Sequence, residues 1–237
     1  VKIPAPQFPL IDQAGPDANL RDYWLARVRQ HTDDIYAGVP ISKFPEDLRV
    51  YEHLLWESGA DVVLELGCQS GGSSMWFRDR LETFSRYRAT HVSPLVIAVD
   101  IDVSIARGNF AAPDRGRGIT LIEGDVRDPS LVDQVSAAIP DDARVMVVED
   151  SAHEFDTTLA ALTNYSRFVT PGGFFVVEDG CVDIDWMRAL DTWPRGVLSA
   201  LREWLASPLS AGFTVHRELE IYGVTCHPGG FLRRESA

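Results

Sequence analysis

Asp150 and His153 stand three residues apart at the end of one short apolar run, and Glu178 and Asp179 close another. Three hard carboxylates with no thiolate between them suit Mg²⁺, with waters or substrate hydroxyls completing six-fold coordination. Without a cation they would repel one another, and some would take up protons. An imidazole, with an ordinary pKa of about 6.5, is a workable general base near neutral pH. The set therefore predicts metal-assisted activation of a hydroxyl: Asp150, Glu178 and Asp179 hold the ion, two neighbouring substrate oxygens chelate it, and His153 removes a proton. The structural alternative is that Glu178 and Asp179 only cap the loop that follows them.

A second stretch could bind a nucleoside. Val62 to Leu66 is apolar apart from Glu65, and it breaks into Gly67-Cys68-Gln69-Ser70-Gly71-Gly72-Ser73 before a helix-like segment. Glycines at 67, 71 and 72 match neither the dinucleotide G-x-G-x-x-G nor a Walker loop, which needs Gly-Lys-Ser/Thr. An acid just before the first glycine fits a loop of the S-adenosylmethionine type, in which free N–H groups at the helix start meet ligand oxygens. Glu65, Gly67, Gln69, Ser70, Gly71 and Ser73 are its candidate cofactor residues. Asp100, closing the next apolar run, is placed to accept from both ribose hydroxyls, with Asp102 as its competitor. Asp125 is placed for the adenine amino group, or else caps the helix beginning near Asp128-Pro129. A sulfonium cofactor carries positive charge and suits so acidic a crevice. Its methyl is then the group that an activated oxygen attacks in line, the enzyme supplying alignment.

These residues need a scaffold that gathers strand ends. Apolar runs at Val62–Leu66, Leu95–Val99, Ile119–Glu123, Val145–Glu149 and Phe174–Glu178 alternate with helical segments, of which 130–138 and 157–168 are the clearest. That alternation predicts a doubly wound parallel sheet, with ligands beyond the carboxyl ends of the strands, where every run places an acid. After a helix near 197–206, runs at Phe213–His216 and Ile221–Thr225 predict an antiparallel pair joined by a short link. The fold class is α/β: a Rossmann-like class I methyltransferase arrangement, a mostly parallel seven-stranded sheet with an N-terminal helical cap. Residues 1–58 form the arm and cap, with a Pro-rich arm over 1–18, a helix over Leu20–Tyr36 and another from Pro45 through Trp56. Residues 59–237 form the Rossmann-like domain, and the whole makes one unit. Trp186, Met187, Trp193 and Trp204 supply a substrate wall, a subunit contact or core.

With 45% hydrophobic and 24% charged residues the chain has the composition expected of a soluble globular protein, and 237 residues are enough for one α/β domain with decoration. A net charge of −13 argues against nucleic acid or an anionic membrane as partner, since both demand clustered cations. No apolar run approaches the roughly 20 residues that cross a bilayer. Cys68, Cys181 and Cys226 are odd in number, without metal-type spacing, and are expected as reduced thiols in a cytoplasmic protein.

Gly38-x-Pro40-x-x-Lys43-x-Pro45-x-Asp47-Leu48, Glu65-x-Gly67-x-x-x-Gly71-Gly72-Ser73, Asp100-x-Asp102, Asp150-x-x-His153, Glu178-Asp179 and Pro228-Gly229-Gly230-Phe231-Leu232-Arg233-Arg234 together resemble the cephalosporin hydroxylase family. That family of Rossmann methyltransferases includes the rhamnosyl and macrolide-sugar O-methyltransferases. The resemblance covers roughly residues 36–234. It implies S-adenosylmethionine, Mg²⁺ held by Asp150, Glu178 and Asp179, His153 as base, a homo-oligomer, and a sugar hydroxyl of a glycosylated natural product as acceptor. A cephem nucleus or a catechol-like phenol stands behind the deoxysugar. Some relatives place the metal-binding Asp directly before Ala-His. Ser151 stands there in this chain, leaving Asp150 or Glu149 for that role. Two other classes are a metal-assisted hydroxylase, for which the two-histidine set favoured by non-haem iron is missing, and a non-catalytic cofactor-binding partner.

Overall fold

Val62-Val63-Leu64-Glu65-Leu66 is buried on both faces, as a strand in the middle of a parallel sheet must be. The computed structural model describes residues 19–88, 90 and 92–236. The expected Pro-rich arm of residues 1–18 lies outside them. In chain order the elements are α1 (Leu20–His31), β1 (Ile35–Tyr36), β2 (Val39–Pro40), α2 (Pro45–Ser58), β3 (Val62–Leu66), α3 (Gly72–Ser85), β4 (Leu95–Asp100) and α4 (Ser104–Phe110). Then follow β5 (Ile119–Glu123), α5 (Pro129–Ala138), β6 (Val145–Glu149), α6 (Phe155–Tyr165), β7 (Phe174–Val177), α7 (Val197–Leu205), β8 (Phe213–Val215) and β9 (Phe231–Arg234).

The sheet runs β5-β4-β3-β6-β7-β9-β8. Strands β3 to β7 are parallel, while β9 pairs antiparallel with both β7 and β8. Chain order reverses at β3, which pairs with β4 on one side and β6 on the other. A crevice forms at such a switch point, beyond the strand ends. Alternate residues of the strands enter two apolar clusters, as period-two geometry requires. Leu64, Leu66, Ile97, Val99, Val147 and Phe175 pack in one with Trp24, Phe44 and Trp204. Val63, Val96, Ala98, Met146 and Val148 pack in the other with Tyr51, Leu54, Leu55 and Phe77. Helices α1 and α2 of the expected cap thus contribute to opposite faces of the sheet.

Most boundaries fall within two residues of expectation, and three elements differ in a way that matters. The first helix ends at His31, because Ile35–Tyr36 and Val39–Pro40 form a hairpin. Its central Ala37-Gly38 both have positive φ (49° and 84°), the turn geometry that matches strand twist. The helix over 157–168 begins earlier, at Phe155, and its last residues tighten into the 3₁₀ turn Ser166–Phe168. The last strand is Phe231–Arg234, not Ile221–Thr225, and its link to β8 is long. Phe231 and Leu232 are wholly buried, whereas Ile221 and Tyr222 stay exposed in turns. Antiparallel pairing of the last two strands holds nonetheless.

Candidate functional site

A cavity of about 650 Å³ opens where β3 to β7 end, and each of the five contributes to its wall: Gly67, Asp100, Gly124, Asp150 and Asp179. Gly67 has a φ of 94°, and a Cβ there would lie 1.9 Å from the Asp150 carbonyl oxygen. Only glycine lets the turn pass so close to the β6 end. Gly71, at φ 82°, caps the start of α3, and a Cβ there would strike the Phe110 ring at 2.4 Å.

The carboxylate of Asp100 holds this turn open: Oδ2 accepts from Cys68 N (2.9 Å) and Gln69 N (2.7 Å). Gln69, Ser70 and Ser73 line the cavity beside it. Asp102 is exposed and off the wall, and its Oδ1 accepts from Ser104 N at 2.8 Å at the start of α4. Between the two competing acids, the cavity contains Asp100. Asp125 lines the cavity and receives Arg127 Nη2 at 2.5 Å. Capping of α5 falls to Asp128, whose Oδ1 accepts from Ser130 N at 2.8 Å, so the capping alternative for Asp125 is not what the fold uses. Glu65 lies wholly buried and away from the wall. It accepts from Ser74 Oγ at the start of α3, and burial pushes its pKa up to about 7.

At the other end, Asp150, His153 and Asp179 converge. His153 Nε2 lies 3.2 Å from Asp179 Oδ2 and 3.9 Å from Asp150 Oδ1, and ligand atoms of all three fall within 4.8 Å of one another. His153 (φ 57°) and Asp179 (φ 55°) both adopt the left-handed conformation, uncommon for residues with a side chain. Burial of His153 opposes its charging, but the carboxylates of Asp179 and Asp150 outweigh it and hold the pKa above the ordinary value. The Nδ1 atom of His153 is buried and meets no hydrogen-bond partner among the described residues.

Glu178 is differently placed. Only 2% exposed and off the cavity wall, it receives Lys43 Nζ at 2.6 Å and Tyr51 OH at 2.5 Å. Lys43, itself 3% exposed, also donates to Asp150 Oδ2. Burial disfavours the ammonium, yet Asp150 and Glu178 outweigh that penalty and keep its pKa well above the usual range. Glu149 is fully buried, accepts from Ser151 N (3.2 Å), Ser151 Oγ and Thr158 Oγ1 (3.4 Å), and does not reach the cavity. Lys43 and Tyr51 have no part in the reading of the strand ends. The signal for Lys43 was a solitary cation among Ile41, Phe44 and Pro45. Of the aromatic residues after Asp179, Trp193 lines the cavity, Trp204 is core, and Trp186 is 43% exposed and meets Trp24 in a T-shaped contact.

The sequence model described as Rhamnosyl O-methyltransferase/CmcI matches residues 28–235. The chain belongs to this family. It is a family of O-methyltransferases, and members resemble this chain along most of its length. The rhamnosyl O-methyltransferase of Mycobacterium tuberculosis is 23% identical over 208 residues, covering 86% of this chain and 79% of that protein. A fatty-acid O-methyltransferase of Mycolicibacterium smegmatis is 30% identical over 179 residues, covering 71% of this chain and 58% of its relative. Among solved structures, CmcI with Mg and SAM aligns with a TM-score of 0.62 at 22% identity, covering all of this chain and 89% of that one. An O-methyltransferase from Bacillus cereus in complex with SAH aligns at 0.52 and 15% identity, covering 87% of this chain and 86% of that one. Both likenesses are of fold: the class I methyltransferase sheet with helices on its two faces. Among the described residues, no helix is long and apolar enough to cross a membrane.

Proposed function

We propose that this CmcI-family protein transfers the methyl group of S-adenosylmethionine to a hydroxyl of a glycosylated natural product, most directly a deoxysugar of the rhamnosyl type, with Mg²⁺ as cofactor. The observation that carries the reading is the cavity at the switch point, with a glycine turn and Asp100 at one end and Asp150, His153 and Asp179 at the other. Gly67, Gln69, Ser70, Gly71 and Ser73 form the cofactor turn, Asp100 accepts from the ribose, and Asp125 faces the adenine. Glu65 acts from behind by fixing the start of α3.

The residues present fit a hard cation. Asp150 and Asp179 offer oxygens to the cavity, with His153 Nε2 3.2 Å from Asp179 Oδ2, whereas Glu178, expected from the sequence as a third ligand, is held off the wall by Lys43 and Tyr51 and is left out of the proposed set. Bound there, Mg²⁺ supplies Lewis acidity that makes a chelated hydroxyl easier to deprotonate. His153 accepts the hydroxyl proton at Nε2, and Asp179 stabilises the resulting imidazolium at 3.2 Å. Lys43 orients Asp150 and opposes the upward push that burial and Glu178 give its pKa. Trp193 and the apolar wall near it exclude water from the acceptor. The family's rhamnosyl members support a sugar as acceptor. The fatty-acid relative makes an acyl carboxyl the second acceptor class to assay. A homo-oligomer in the cytoplasm belongs to the same proposal, and sedimentation of the purified chain tests the assembly.

Calorimetric titration with S-adenosylhomocysteine, with Mg²⁺ and with EDTA, tests the cofactor half. Saturable binding is expected, and its absence in both conditions would overturn the reading. Methyl transfer to rhamnosylated acceptors, against fatty acids and plain catechols, tests the acceptor half.

A further inference from the structure

Two of the three thiols meet in the fold although nothing in their spacing pairs them. Cys181, in the 3₁₀ turn after Asp179, and Cys226, in the loop before β9, are buried free cysteines that both contribute to the cavity wall. Their sulfurs and an Asp179 carboxylate oxygen all lie within 4.8 Å of one another.

We propose that Asp179, Cys181 and Cys226 form a site for a soft divalent cation of the zinc type, reached from the cavity. The donor chemistry points there: two sulfurs and one carboxylate suit Zn²⁺ or Cd²⁺ and are the wrong set for Mg²⁺. Donors of this kind bind zinc at about 2.0–2.3 Å. The backbone holds the three residues in place before any ion arrives. Cys181 N donates to Cys226 O at 3.1 Å, and Asp179 N donates to His227 Nδ1 at 3.1 Å. Cys226 N donates to Asp47 Oδ2 at 3.0 Å. Binding releases the two thiol protons to solvent and forms two metal–sulfur bonds, with no change of oxidation state. Three protein ligands leave a fourth tetrahedral position open toward the cavity.

Asp179 belongs both to this set and to the Asp150–His153–Asp179 set. A soft cation on the thiols therefore competes for a carboxylate that the hard cation needs, and inhibits Mg²⁺-supported turnover. That consequence rests on the proposed methyl transfer, whereas the binding does not.

The test is titration of the metal-free, reduced full chain with Cd²⁺ and Co²⁺, read by thiolate-to-metal charge-transfer absorption. One equivalent of ion per chain is expected to produce the band. C181S and C226S should each lose most of it, C68A should keep it, and D179N should weaken binding at least about tenfold. Peptide mapping of alkylated wild-type protein needs no variant: Zn²⁺ should shield Cys181 and Cys226 while leaving Cys68 open to reagent. No band from the folded wild-type chain, a band that survives loss of both cysteines, or shielding of Cys68 alone would each overturn the site.

Discussion

Lys43 Nζ lies 2.6 Å from Glu178 Oε2, with both side chains almost fully buried. The contact ties the segment entering α2 to the end of β7, and Lys43 reaches the end of β6 through Asp150. A cation supplied by the chain itself thus compensates two carboxylates of the acid cluster.

Replacing Lys43 with Met should therefore leave the buried Glu178 and the half-buried Asp150 without their counter-charge. Loss of one partner of a buried pair costs about 3–5 kcal/mol. Denaturant unfolding should report that loss, and Mg²⁺ should raise the melting temperature of K43M more than that of wild type. Equal stability of K43M and wild type would show that the ion pair contributes nothing.

His153→Ala removes the proposed base without disturbing the glycine turn. Turnover should fall by about 10²–10⁴-fold, while S-adenosylhomocysteine affinity stays within about twofold of wild type. Single-turnover kinetics beside calorimetry separates the two effects, and an unchanged rate assigns the proton to another acceptor.

Gly67→Ala inserts a Cβ that has no room beside the Asp150 carbonyl, at a φ of 94°. Strain of this kind costs about 1–3 kcal/mol. Cofactor affinity should drop at least about tenfold as the turn moves out of place, since the turn and the end of β6 form opposite sides of one wall. Wild-type affinity for S-adenosylhomocysteine in G67A would contradict the placement of the turn.

Glu65, with its pKa pushed by burial from 4.5 to about 7, makes stability depend on pH. Between those values the folded chain holds a proton that the unfolded chain has lost. Folding therefore takes up a proton there, and stability falls as pH rises through the window. The loss is on the order of 3 kcal/mol. Glu65→Gln, which cannot titrate, should flatten the dependence of melting temperature on pH between about 4.5 and 7. An identical pH profile in E65Q would remove Glu65 as its source.

The sequence by itself determined the alternation of apolar strands with helices, because burial on both faces demands near-continuous apolar runs such as Val62–Leu66, broken by Glu65 alone, and residues 145–148. It also determined that acids gather at one edge, since each parallel strand ends on the same side and Asp100, Asp150 and Asp179 each follow an apolar run. Tertiary structure alone decided which acids face the cavity. Glu65, Glu149 and Glu178 look equivalent to the others in sequence, yet each turns inward to a partner: Ser74, Ser151 and the Lys43–Tyr51 pair. Lys43 and Tyr51 come from segments more than 100 residues before Glu178, and local periodicity carries no information about which side chain an acid meets. For the same reason Phe231–Arg234 took the place expected for Ile221–Thr225, because pairing with β7 on one side and β8 on the other buries Phe231 and Leu232. Cys181 and Cys226 met only when two loops closed against each other, through backbone hydrogen bonds that any residue types could have made.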